Sequence, residues 1–264
     1  MEINHNIKLT GPEITSLWTQ SQSDSLNLRV NTYMHHHLEE ENDAIRAIFQ
    51  DAIAISEKNL REIESFFNQV HYPIPQGFTE HDVNLDNPKL YSDHLCLKYL
   101  HEMTIHGLSS YSVALTVSTC GEMRKFFEDK IHDTNKLYNQ TIDVLLEKGL
   151  YHRPPYLPIP VGIDFIKTEN FFDGFFNDRR TLNGPEISNV FFNLKKSIIT
   201  KALITGFCQV VTCKEAHRIL KRAMGIKQKH IDTFSQLLTK VSFRHRLYGI
   251  LMFQILLFPH FQMS

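Results

Sequence analysis

Three polar residues in the first half of the chain, Asp24, His94 and His101, have the side-chain types that bind transition metals. Carboxylates and imidazoles are common ligands of zinc and iron. His94 and His101 are two helical turns apart, so they would share one face of a helix. These residues form a candidate metal site. The alternatives, which we prefer, are a hydrogen-bonded buried carboxylate for Asp24 and a polar bundle edge for the two histidines.

Helical bundles that hold two metal ions usually supply a glutamate from each of two helices and a Glu-x-x-His motif from each of the others. No predicted helix of this chain carries that motif. Glu102 and Glu128 are each followed by a histidine four residues later, at 106 and 132. The surrounding pattern places both pairs towards solvent or the bundle edge. We therefore expect no bound metal, with an atypical transition-metal site as the alternative.

Four amphipathic helices are predicted before residue 150. The first begins at Pro12 and Glu13, because proline fits the first turn and glutamate complements the helix dipole. The others begin near residues 43, 92 and 121, and a loop opened by Pro73, Pro75 and Gly77 separates the second from the third. The apolar stripe of the first helix reads Ile14, Leu17, Trp18, Ser21, Ser25 and Leu28. Without strand alternation, the pattern predicts an all-α, up-down four-helix bundle.

A long-range repeat shows that the chain contains a second, partial copy of this unit. Residues 9–15 (LTGPEIT) return as residues 182–188 (LNGPEIS), and residues 60–67 are echoed by residues 231–238. A period of this length indicates two domains, since solenoid repeats are much shorter. In the second copy we predict two helices, from Pro185 to about Val211 and from about Lys214 to Thr239.

Several segments in this order resemble the bacterial family known as domain of unknown function 3231. The matching segments are residues 9–14 (LTGPEI), 24–26 (DSL), 73–78 (PIPQGF), 82–85 (DVNL), 148–155 (KGLYHRPP), 182–187 (LNGPEI) and 229–231 (KHI). The resemblance implies two tandem ferritin-like four-helix bundles, and it implies no reaction.

With that resemblance we expect four parts in the chain. They are a ferritin-like bundle at residues 8–152, a Pro/Phe-rich linker at 153–181, the first half of a second bundle at 182–240, and an aberrant apolar tail at 241–264. Beyond Lys240 the chain departs from the family pattern. Our hypothesis is that the coding sequence changed frame there and truncated the second bundle.

Composition restricts the classes of function. The 264 residues are 42% apolar and 22% charged, and the net charge is −1. This balance gives no field that would favour nucleic acid, and we expect no nucleic-acid partner. The apolar run near the end is shorter than the roughly 20 residues of a membrane span. The four cysteines form no C-x-x-C pair, and the N-terminus has no apolar signal core, so we expect a cytoplasmic protein.

We expect a non-enzymatic structural or interaction protein. The alternative is a metal-binding ferritin-like protein, either an oxidase or a metal store, with its site in the first bundle. Two amphipathic helices without their bundle partners must bury their apolar faces elsewhere. We therefore expect a homo-oligomer in which incomplete second bundles complete each other.

Overall fold

The computed structural model describes residues 8–39, 41–154 and 182–245, with the side chains of the last helix described as far as residue 239. These residues are all-helical, as predicted, and contain no strand. The helices are α1 (Gly11–His36), α2 (Asp43–Gln69), α3 (Asp93–Thr116), α4 (Gly121–Glu147), α5 (Gly184–Val210) and α6 (Lys214–His245). A short 3₁₀ helix, Glu80–Asp82, lies between α2 and α3. The chain divides into two compact units, residues 1–151 and 152–264.

The first unit is a four-helix bundle. Helix α1 packs on α2 and α3 packs on α4, while α2–α4 and α1–α3 contacts close the ring. Short loops join α1 to α2 and α3 to α4, and one long connection joins α2 to α3. A single long crossover is the connectivity of ferritin-like folds. The ferritin-like assignment itself stays a prediction.

The long connection runs along α1. Gln22 Nε2 donates to the carbonyl oxygen of Gln76 (2.8 Å), and the Phe78 N–H donates to Ser25 Oγ (3.0 Å). Near the end of α1, Tyr33 Oη donates to the carbonyl oxygen of Pro88 (2.7 Å). The connection therefore returns to the end of the bundle where α2 begins.

The repeated LTGPE/LNGPE motif is a helix-start signal. In α1, Thr10 accepts from the Glu13 N–H, and the Glu13 carboxylate accepts from the Thr10 N–H (2.7 Å). Asn183 and Glu186 form the same capping box at the start of α5. Because a capping box satisfies amide groups that the helix leaves unpaired, it fixes where each helix begins.

The first capping glutamate also joins two helices. The second carboxylate oxygen of Glu13 accepts from the N–H groups of Thr119 (2.7 Å) and Cys120 (2.8 Å), just before α4. Burial alone would raise the pKa of Glu13, but hydrogen bonds from Cys120, Thr10 and Thr119 outweigh it and bring the pKa to about 2. Glu13 is therefore a charged, fully buried connector between the starts of α1 and α4.

The second unit is a pair of antiparallel helices. Its core consists of Ile187, Phe191 and Leu194 of α5 with Ile231 and Leu238 of α6. The two helices begin as the sequence predicts. Helix α6 continues to His245, beyond the predicted end at Thr239, so residues 241–245 of the proposed tail extend the helix. The linker from residue 155 to 181 and the tail from residue 246 lie outside the described residues.

The sequence assigned Trp18 to the buried stripe of α1, and this is wrong. Trp18 is 49% exposed, whereas the buried positions of α1 include Leu17, Gln20, Asp24 and Asn31. These positions recur every three or four residues and exclude Trp18. The prediction failed because it assumed that an apolar residue such as Trp18 faces the core. The inward face of α1 is instead largely polar.

Candidate functional site: a polar layer and cleft in the first bundle

The core of the first bundle contains a layer of polar side chains between two apolar clusters. At one end Leu17, Ile63, Tyr111 and Phe127 belong to an apolar cluster drawn from all four helices. At the other end, α2, α3 and α4 bury Ile45, Phe49, Leu97, Leu100 and Leu145. Between these ends the buried polar side chains include Asp24, Ser56, Asn59, Thr104, Lys130 and Thr134. Buried polar groups are costly unless they are paired, so this layer is the candidate functional site of the bundle.

Tyr111 lies at the centre of a hydrogen-bonded cluster in this layer. Its hydroxyl accepts from Gln20 Nε2 (3.1 Å) and from Asn59 Nδ2 (3.3 Å). Burial and the neighbouring Asp24 raise the pKa of Tyr111 well above its usual value, so the hydroxyl keeps its proton. The Asp24 carboxyl group lies close enough to this hydroxyl for its charge to act on it. The cluster therefore links α1, α2 and α3 through one phenol.

Asp24 is the ionisable group that the cluster surrounds. Its side chain is buried, with 3% exposure, and its Oδ2 atom has no hydrogen-bond partner. Burial raises the pKa of Asp24 from 3.8 to about 7, although hydrogen bonds with Gln20, Asn59 and Tyr111 and the charge of Lys130 oppose the rise. A carboxyl group with this pKa changes its charge near neutral pH.

Lys130 is a fully buried cation in the same layer. Its Nζ atom lies 2.6 Å from Glu62 Oε2 and 4.8 Å from the centroid of the Phe126 ring. Glu62 is partly exposed, so this ion pair joins the buried core to the surface between α2 and α4. Since Lys130 is engaged by Glu62, it acts on Asp24 through its charge and not through a direct pair.

A cleft of about 100 Å³ reaches the polar layer, with most of its walls supplied by α1 and α3. Ser23 and Ser110 are exposed at its mouth. Asp24, Asn31 and Thr104 are buried polar residues of its lining. The apolar lining consists of Ala52, Ile55, Leu100, Met103 and Leu137. The cleft is therefore amphipathic, with a polar strip along α1 and both apolar and polar side chains on its other walls.

The structure does not bring the three proposed metal ligands together. Asp24 is buried beside Tyr111, whereas His94 is exposed at the start of α3. His101 is buried, with Nδ1 3.0 Å from Thr141 Oγ1 and its ring stacked on Tyr138. It lies almost three turns before Tyr111, or about 15 Å along the helix. In the described part of the chain, no group of three or more His, Cys, Asp or Glu side chains is placed to hold a metal ion.

The two Glu–His pairs of the sequence differ in their burial. Glu128 and His132 of α4 are exposed, as predicted. The prediction for Glu102 is wrong, because its side chain is 4% exposed, and His106 lines the cleft. Helix α3 buries residues of both polar and apolar types, so residue type alone does not identify its inward face.

Sequence reasoning identified Asp24 but missed Gln20, Asn59 and Lys130 as its neighbours. A signal was present, since each of them lies three or four residues from a buried position, as Asn59 does from Ser56 and Ile63. Polar residues at core spacing usually suggest a bundle edge. Only the packing of four helices shows that these residues face one another.

Comparison with known protein families assigns this chain to one of them. Residues 1–161 and 170–244 match the family described as protein of unknown function (DUF3231). The chain belongs to this family. The resemblance noted in the sequence is thereby confirmed, and the DUF3231 match spans both units and ends near the end of α6. The frame change proposed after Lys240 stays a prediction.

Two further comparisons complete the picture. No curated protein matches this DUF3231 chain. One solved structure, described as "a putative spore coat protein" from Bacillus halodurans, is 15% identical, with a TM-score of 0.49. The match covers 60% of this chain and 98% of that one.

Among the helices that the structure describes, none is both long and apolar enough to cross a membrane.

Proposed function

We propose that the protein has a non-enzymatic structural or interaction role and that it assembles as a homodimer through its second unit. The observation that supports this proposal is the difference in burial between α2 and its repeat counterpart α6. Helix α2 buries eight side chains, from Ile45 to Phe67. Helix α6 buries only Ile231 and Leu238 among its described side chains.

The exposed surface of the second unit includes large apolar side chains. Phe192 and Phe207 of α5 are 40% and 42% exposed, and Ile219 and Ile226 of α6 are 57% and 44% exposed. Ile219 and Ile226 are two turns apart and therefore share one face of α6. A single exposed apolar residue is ordinary, but a row on an amphipathic helix favours contact with another surface.

A second copy of the chain is the partner that the repeat favours. In the first unit, the pair α1–α2 is completed by another helix pair, α3–α4. The pair α5–α6 begins with the same capping motif and has helices of similar or greater length. Two such pairs related by a two-fold axis would form a four-helix bundle, because a two-fold axis makes one patch complementary to itself.

Light scattering after size-exclusion chromatography of the full chain tests this proposal. We expect twice the 30.8 kDa of one chain. The double substitution Ile219→Glu and Ile226→Glu should convert the dimer to monomer, since it would bury charges in an apolar interface. The matched control is Val113→Glu, at a 66% exposed position of α3 in the first unit.

Two results would overturn the proposal. One is a wild-type monomer at every concentration tested. The other is a dimer that survives the double substitution in α6 while the Val113→Glu variant dissociates. The second result would move the interface to the first unit.

A further inference from the structure

The cleft of the first bundle contains buried hydrogen-bond acceptors that have no donor. Two of its buried lining atoms, Asp24 Oδ2 and Asn31 Oδ1, have no hydrogen-bond partner, and both are oxygens. The nearby amide donors of Gln20 and Asn59 are already engaged with Tyr111. Leaving buried acceptors unpaired costs free energy. A ligand that supplies donors would remove this cost.

The two unpaired acceptors belong to a row of polar side chains on α1. Asp24, Asn27 and Asn31 recur on one face of α1 and all line the cleft. The distance from Asp24 to Asn31 is about 10 Å along the helix axis. The facing helix α3 contributes the apolar side chains of Leu100 and Met103 as well as polar ones. This arrangement suits a short aliphatic chain that carries N–H donors at its ends.

The negative charge of Asp24 favours a cationic hydrogen-bond donor over a neutral one. Asp24 is the carboxylate of the cleft, and Lys130, the buried cation nearby, is paired with Glu62. An ammonium group would give Asp24 both a hydrogen bond and a counter-charge, and charge-assisted hydrogen bonds are the strong ones. A neutral alcohol of the same shape would supply only the hydrogen bond.

We propose that the cleft between α1 and α3 binds a small aliphatic amine, with an ammonium group at Asp24 and the chain lying towards Asn31. This site is separate from the proposed dimer surface of the second unit, so it goes beyond the proposed function. A volume of about 100 Å³ holds a short chain, given that one water needs roughly 10–15 Å³. Ser23 and Ser110 are exposed at the entrance.

Titration calorimetry of the full-length protein with 1,4-diaminobutane tests this proposal, with 1,4-butanediol as the neutral probe of the same length. We expect the diamine to bind at least roughly tenfold more tightly than the diol. The substitution Asp24→Asn keeps the shape of the side chain and removes the charge. It should weaken diamine binding by roughly tenfold or more.

The matched control is Asp129→Asn, which removes the same charge from a side chain of α4 that is 45% exposed and paired with Lys125. It should leave diamine binding unchanged. Absence of diamine binding to the wild-type protein, equal binding of diol and diamine, or full binding by the Asp24→Asn variant would each overturn the proposal. The two probes compared on the wild-type protein decide the question even if a variant folds poorly.

Discussion

At the scale of single residues, Asp24 and Glu13 show how burial acts in opposite directions on two carboxyl groups of one helix. Asp24 has an unpartnered oxygen, and burial raises its pKa to about 7. Burial would also raise the pKa of Glu13, but hydrogen bonds from Cys120, Thr10 and Thr119 hold that pKa at about 2. The balance between desolvation and hydrogen bonding decides the sign of each shift.

The raised pKa of Asp24 predicts a pH dependence of stability. A carboxyl group with a higher pKa in the folded chain contributes stability fully below its unfolded pKa, and loses it as the pH rises through the folded pKa. For Asp24 this window extends from about pH 4 to above pH 7. Asp24→Asn should therefore gain about 2 kcal/mol relative to wild type between about pH 5.5 and pH 8.

Urea unfolding of both proteins at the two pH values measures this difference. Groups common to both proteins, including Lys130 and His106 near Asp24, largely cancel in the comparison. Asp129→Asn, at an exposed carboxylate, should show no comparable change. A constant stability difference between Asp24→Asn and wild type at both pH values would contradict the raised pKa.

We expect substitution of Glu13 to lower the stability of the first unit, because it leaves hydrogen-bond donors unpaired at two helix starts. Glu13→Ala should destabilise the first unit by about 3 kcal/mol, since the N–H groups of Thr10, Thr119 and Cys120 lose their acceptor. Glu122→Ala is the matched control, as Glu122 is an exposed acid in the first turn of α4. We expect it to cost about 0.5 kcal/mol. Equal costs in urea unfolding would show that Glu13 serves only the helix dipole.

At the scale of elements, the long connection between α2 and α3 is held against α1 by close packing. A methyl group at Gly77 would lie 2.5 Å from Ser25 Oγ and 2.8 Å from Ser25 Cβ. The same serine accepts from the Phe78 N–H (3.0 Å). A small residue on α1 and a glycine on the loop therefore allow the two backbones to approach.

Gly77→Ala should destabilise the first unit by about 1–3 kcal/mol, because the added methyl group forces the loop away from α1. Gly11→Ala is the matched control, since nothing lies within 4 Å of a Cβ atom there. Thermal unfolding of the two variants provides the comparison. Hydrogen exchange at the Phe78 amide should also accelerate in Gly77→Ala, and unchanged protection of that amide would exclude the proposed displacement.

At the scale of the whole molecule, the two units differ in how much core they build. The first unit buries residues from four helices, whereas the second has a core of five buried side chains among the residues that the structure describes. Small cores are seldom stable alone. The dimer that we propose would add the missing apolar contacts to α5 and α6.

A dimer predicts that unfolding depends on protein concentration. Because the unfolded chains separate, mass action stabilises the folded dimer as the concentration rises. Over about a hundredfold range of concentration, the Tm of the wild-type chain should rise by a few degrees. The Tm of the Ile219→Glu, Ile226→Glu variant should be independent of concentration, and a wild-type Tm that is also independent would contradict the dimer.

The sequence by itself determined the helices, the duplication and the family. Helix starts are local, since the capping boxes of Glu13 and Glu186 and the proline just before each glutamate act within a few residues. Helix periodicity is also local, which explains why the four helices of the first unit begin close to where the sequence placed them. The predicted end of α6 was less accurate, because no proline or glycine terminates that helix near Thr239.

Only the tertiary structure decided which polar residues meet. Asp24, Asn59 and Tyr111 come from three helices, and no short-range pattern states that their side chains converge. For the same reason the sequence placed Trp18 inside and Glu102 outside, contrary to the structure. Residue type predicts burial only on average, whereas the packing of α1 against its neighbours decides which face is buried, and that face carries many polar groups.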